Sequence, residues 1–117
     1  PEKKEHGAGK QVEGYLQSGQ RVLIVEDLVS TGGSSVKAAQ AVRDENAFVS
    51  DIFAIVSWEL PKVALVFEES NLKLTTLTGF TDIIGLAKDS GNIDEKQYEI
   101  IVDFKNDTAS WGAKYGF

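Results

Sequence analysis

The sequence predicts an α/β fold with a central, mostly parallel sheet flanked by helices, and three observations carry that prediction. From Arg21 onward, short apolar runs alternate with amphipathic stretches, and strands alternating with helices build parallel, right-handed βαβ units. The runs Val22–Val25 and Ile52–Val56 lack regular polar alternation, as suits strands buried on both faces. The first run passes through Glu26 and Asp27, then Leu28 and Val29, into Ser30-Thr31-Gly32-Gly33-Ser34. That is the composition of a tight loop opening a helix at the carboxyl end of a strand, where ligands sit in such sheets.

Residues 1–14 are polar and punctuated by Gly7, Gly9 and Gly14, a pattern expected of a mobile loop or a frayed terminus. A first strand is expected at 21–26. Ser34 to Asn46 reads as a helix, with Val36, Ala39, Val42 and Arg43 on one face and Ser34 as its N-cap. Phe48 to Trp58 reads as a second strand, ended by Glu59-Leu60-Pro61. Lys62 to Ser70 reads as a helix with Val63, Val66 and Phe67 inward and Asn71 closing it. Leu72 to Thr78 reads as a third strand, nearer an edge. Phe80 to Lys88 is amphipathic through Phe80, Ile83, Ile84 and Ala87, and Gly91-Asn92 breaks it. Asp94 caps a last helix to about Lys105, with Tyr98, Ile101 and Val102 on one face. Trp58 is expected to pack rather than to stack on a ligand. Trp111 and Tyr115 lie in a Gly-rich tail and either fasten the C-terminus or leave it mobile.

Composition bounds the function. The chain has 117 residues, 42% hydrophobic and 26% charged, with 18 acidic against 12 basic residues and a net charge of −6. Nucleic-acid binding generally calls for a basic surface. With no cysteine and one histidine, neither a disulfide frame nor a Cys- or His-based metal cluster is available. No run reaches membrane-spanning length and no signal peptide is legible, which fits a cytoplasmic protein. The chain opens on PEKKEHG, without Met, so it is expected to be the C-terminal part of a longer polypeptide. A sheet of three strands would bury a narrow core and leave an edge open.

The segment after Asp27 has the chemistry of a phosphate cradle. The first N–H groups of a helix are unpaired, and the dipole there favours an anion. Glycines let the backbone close around that anion, and Ser30, Thr31 and Ser34 add hydroxyl donors. With carboxylates beside it, the segment suits a ligand bearing a phosphate and sugar hydroxyls.

This ordered stretch, RVLIVEDLVSTGGSS, resembles the phosphoribosyl-diphosphate (PRPP) motif of the type I phosphoribosyltransferases. The resemblance implies that Glu26 and Asp27 hold the ribose hydroxyls, with Asp27 counted among the catalytic residues. It implies that Leu28, Val29, Ser30, Thr31, Gly32, Gly33 and Ser34 form the PRPP-binding segment, and that Ser30 also contacts orotate. Upstream, Lys4-Glu5-His6-Gly7 is similar to the second half of the catalytic loop of orotate phosphoribosyltransferases. Lys4 and His6 would then bind the diphosphate and act in catalysis. The loop's leading Arg would fall before Pro1. The segment Ser57-Trp58-Glu59-Leu60-Pro61 also resembles the Gram-positive type of these enzymes. It lacks the orotate-binding Arg that some members carry there, so that role is not assigned.

By this resemblance, residues 1–117 form a partial type I phosphoribosyltransferase domain, with a catalytic loop at 1–14 and the PRPP motif at 21–35. The expected activity is that of a glycosyltransferase (a pentosyltransferase) of pyrimidine biosynthesis, making orotidine 5′-phosphate and diphosphate from PRPP and orotate. Mg²⁺ would ride on the diphosphate, since no dedicated carboxylate cage is legible. The resemblance also implies a homodimer whose loop crosses to the neighbouring site.

Other readings stay open. An ordinary capped strand–turn–helix explains the glycines but not adjacent carboxylates. A receiver domain needs an Asp at the end of a later strand, where this chain has Ser57-Trp58, and a Walker A loop needs Gly-Lys-Ser/Thr after its glycines. A transferase for a purine or another base, or a non-catalytic PRPP sensor, would keep the same motif.

Overall fold

The computed structural model describes residues 12–117. Among these, three strands each followed by a helix, and a fourth helix after them, come in the expected order, and a fifth short helix closes the chain. They are β1 (Arg21–Val29), α1 (Gly33–Asp44), β2 (Phe48–Ser57), α2 (Pro61–Glu69), β3 (Lys73–Gly79), α3 (Phe80–Asp89), α4 (Glu95–Asn106) and α5 (Trp111–Tyr115). The sheet is parallel in the order β1-β2-β3. Right-handed crossovers stepping the same way across a sheet put their helices on one face. Accordingly α1 and α2 share one core, in which Ala39, Val42, Val63 and Phe67 meet Val49, Ile52 and Ala54.

That arrangement departs from the expectation of strands buried on both faces. Leu23, Val25, Ile55 and Leu77, on the side away from α1 and α2, are between 47% and 69% exposed. The apolar run was legible, but the second covering layer is not supplied by the described residues. Both β1 and β3 are edges of the described sheet.

The helix stops follow the local sequence closely. Asn46 and Asn71 take positive φ values of 62° and 56°, which asparagine tolerates better than most residues. Asn71 N–H donates to Glu68 O at 3.1 Å and Leu72 N–H to Phe67 O at 2.8 Å. This paired closure satisfies two end carbonyls of α2. Arg43 joins the layers, donating from Nη1 to Ser70 O at 2.8 Å and from Nη2 to Val49 O at 2.9 Å. Asp94 caps α4 through a reciprocal capping box with Gln97.

Beyond the sheet, an aromatic ladder fastens the C-terminal helices. Trp58 lies 5.4 Å from Phe80 and 5.8 Å from Phe104, and Trp111 meets Phe104 edge-on at 5.5 Å. Trp111 Nε1 donates to Ile100 O at 2.7 Å, and Asp103 accepts from Lys114 and Tyr115. The tail is therefore a short docked helix. No helix of the described residues is long and apolar enough to cross a membrane.

Glu59 ties the end of β2 to α3 and α4. Its Oε1 accepts from Thr81 N at 3.0 Å and from Thr81 Oγ1, with Lys105 Nζ at 3.4 Å. The Thr81 hydroxyl, the Thr81 amide and the Lys105 charge hold the Glu59 carboxyl below its ordinary 4.5, against opposing desolvation. A depressed folded pKa gives stability that is present above the unfolded pKa and lost as pH falls through the folded value. Glu59→Gln is therefore expected to reduce the loss of stability on acidification below about pH 4.5. Denaturant midpoints at pH 3.5 and 6 test it: the variant should be weakened at pH 6 and lose less on going to pH 3.5. An equal acid loss in both proteins would contradict it.

Candidate functional site

β1 runs to Val29, three residues past the expected end at residue 26. Val29 is a good strand former, and Leu28 and Val29 pair with Val56 and Ser57 of β2. The strand stops only where Ser30, Thr31 and Gly32 supply turn chemistry. Glu26 and Asp27 therefore lie within the strand, where successive side chains point to opposite faces.

The carboxylates have different surroundings. Glu26 is half-buried on the side of α1, and its Oε2 accepts from Ser35 Oγ at 2.5 Å. Asp27 is exposed, and its Oδ1 accepts from Leu28 N at 2.7 Å. Each acid thus has one oxygen held by its own chain. Among the described residues, no hydrogen-bond donor reaches Glu26 Oε1 or Asp27 Oδ2.

The loop beyond β1 opens α1 without a side-chain cap. Helix α1 starts at Gly33 rather than Ser34, and its N-cap is Gly32, at φ 87°. The expected cap at Ser34 is thereby corrected. The left-handed turn that ends the loop falls on Gly32, which pays no Cβ penalty there, so Ser34 is carried into the first helical turn. No side chain caps this N-terminus and no acid lies in its first turn. Val36 N–H donates to Gly32 O at 3.0 Å as the first ladder bond. The preceding N–H groups of Gly33, Ser34 and Ser35 are those a helix start leaves unpaired, and they favour an anion. Ser30, Thr31, Gly33 and Ser34 are exposed, while Gly32 is buried. A Cβ at Gly32 would stand 2.8 Å from Phe67 Cε1, so the loop is seated on the core.

Glu26 through Ser34 thus gather around the carboxyl end of β1. Lys4 and His6 fall outside the described residues. Ser35 was not singled out from the sequence, because its importance depends on helix phase. Starting α1 at Gly33 turns Ser35 inward, where it is 1% exposed. Among the described residues there is no group of three or more His, Cys, Asp or Glu able to hold a metal ion.

No protein-family model matches the sequence. The chain is 43% identical over 110 residues to an orotate phosphoribosyltransferase of Lactococcus lactis subsp. cremoris (strain SK11), covering 94% of this chain and 53% of that protein. Of solved structures, orotate phosphoribosyltransferase from Aeropyrum pernix superposes with a TM-score of 0.63 at 26% identity, over 80% of this chain and 50% of that one. The UMP synthase of Leishmania donovani superposes with a TM-score of 0.70 at 26% identity, over 80% of this chain and 21% of that one. The chain spans about half the length of the curated relatives it matches.

Proposed function

We propose that the protein containing this chain, which is similar in sequence and fold to orotate phosphoribosyltransferases and spans about half their length, transfers phosphoribosyl from PRPP to orotate. The products are orotidine 5′-phosphate and diphosphate, in pyrimidine biosynthesis. The observation that carries the reading is the β1–α1 junction: two acids, a glycine turn and an uncapped helix start in one short segment.

In this reading the 5-phosphate lies against the Ser30–Ser34 backbone and hydroxyls, with Leu28 and Val29 leading the chain into the cradle. Glu26 Oε1 and Asp27 Oδ2 accept from the ribose hydroxyls. The carboxylates also favour positive charge growing on the ribose ring. The bond from the anomeric carbon to the diphosphate oxygen breaks and its electron pair leaves with diphosphate. A ring nitrogen of orotate, held through Ser30, forms the new bond to the anomeric carbon and gives up its proton, which the departing diphosphate can take up. Lys4 and protonated His6 favour the negative charge growing on the leaving group, and His6 can supply its proton. A closed loop over 1–14 would exclude water, which otherwise hydrolyses PRPP.

The donor set fits a divalent ion carried by the substrate better than one caged by protein. Among the described residues there is no group of three or more His, Cys, Asp or Glu able to hold a metal ion. Mg²⁺ carried on the diphosphate would neutralise charge on the leaving group. The remaining assignments, a homodimer sharing its loops and a cytoplasmic location, belong to the same proposal.

Ultraviolet absorbance tests the reaction. The full-length protein should consume orotate when both PRPP and Mg²⁺ are present and not when either is withheld. Consumption of a purine base instead would move the substrate, and PRPP binding without turnover of any base would favour a sensor. His6→Ala should lower turnover about 100-fold with an unchanged melting temperature. Unchanged turnover, or a large loss of stability, would contradict its catalytic role.

A further inference from the structure

Ser35 is the last residue of the PRPP motif, one position past the residues assigned to PRPP contact, and it is 1% exposed. A hydroxyl so deeply buried needs a partner. Its partner is Glu26, whose Oε2 lies 2.5 Å from Ser35 Oγ. Only the serine can be the donor when the carboxylate is ionised, so this is a charge-assisted bond of the short, strong kind.

The bond has a geometric result. Ser35 sits in the first turn of α1, and Glu26 sits in β1 on the face that α1 covers. The two ends of the candidate cradle, acid and helix start, are thus linked by one hydrogen bond across the loop. Glu is a flexible side chain that loses rotamer freedom when a ligand fixes it. Held at Oε2, Glu26 has less of that freedom to lose, and among the described residues no donor reaches Oε1, which can accept from a ligand.

We propose that Ser35 is a positioning residue for PRPP, presetting the Glu26 carboxylate for the ribose hydroxyls before the ligand arrives. This rests on the reading of Glu26 as a ribose-binding residue. The Ser35 side chain touches no substrate. Its effect runs entirely through Glu26, so it should strengthen PRPP binding and leave orotate binding alone. Neighbouring Ser34 has an exposed side chain and acts in the cradle itself.

A double-mutant cycle on the full-length protein, read by calorimetric titration with PRPP and Mg²⁺, tests this. Ser35→Ala should raise the Kd for PRPP about 10-fold, the scale of one hydrogen bond to a charged group. Ser35→Cys, with a weaker donor, should fall between wild type and Ser35→Ala. In a Glu26→Ala background, Ser35→Ala should weaken PRPP no further. A Kd unchanged by Ser35→Ala, or raised equally in both backgrounds, would overturn the proposal even if the melting temperature falls. If Glu26→Ala alone leaves the Kd unchanged, the ribose assignment of Glu26 fails first and the positioning role falls with it.

Discussion

Asp27→Asn is expected to lower kcat/KM for PRPP about 10- to 100-fold, the scale of losing a charged hydrogen-bond acceptor for a ligand. The carboxylate is exposed and its only described partner is the amide of Leu28, next to it in the chain. Folding therefore has little stake in it, and stability should change by less than about 0.5 kcal/mol. Asn keeps an oxygen for Leu28 N–H, so the local backbone has no reason to move. The variant loses only the negative charge toward the ribose. Steady-state kinetics with PRPP as the varied substrate, beside a denaturant titration, separates the two effects. Unchanged kcat/KM would remove Asp27 from the site.

Gly32→Ala should be felt in both folding and ligand binding. Gly32 sits at φ 87°, where an L-residue is strained, and its new methyl would meet the Phe67 ring at 2.8 Å. Phe67 is 3% exposed at the centre of the core between α2 and the sheet, so it has little room to yield. Left-handed strain and overpacking together should cost about 2–4 kcal/mol, a large share of a typical domain's stability. Relief by shifting the loop would misplace the Gly33 and Ser34 amides, so phosphate affinity should fall as well. Chemical denaturation and phosphate titration check the two parts. A stability loss under about 0.5 kcal/mol with unchanged phosphate affinity would contradict this account of the turn.

The sequence carries the strands and helices because periodicity, Asn stops and the Asp94 capping box are local features. Helix α2 and the Phe80 helix came out within a residue or two of their observed limits. Where local rules compete, sequence reading falls short. Leu28 and Val29 looked like a lead-in to the loop, but pairing with Val56 and Ser57 keeps them in β1. That extension separates the two acids onto opposite faces, which a motif read as a string does not convey. The inward turn of Ser35 depends on α1 starting at Gly33, a choice made by the left-handed Gly32. Glu59 gave no local signal either, since its partners Thr81 and Lys105 are far along the chain. The tail's Trp111 and Tyr115 were ambiguous because their partners, Ile100, Phe104 and Asp103, are on another helix.

The central claim is that the junction of β1 and α1 receives the phosphoribosyl group. Amide resonances of the full-length protein, labelled with ¹⁵N-glycine and ¹⁵N-serine and titrated with PRPP and Mg²⁺, test it most directly. The largest shifts should fall on Ser30, Gly32, Gly33, Ser34 and Ser35, and inorganic phosphate alone should move the Gly33 and Ser34 signals in the same direction. Saturation with PRPP that leaves these amides unmoved would contradict the account.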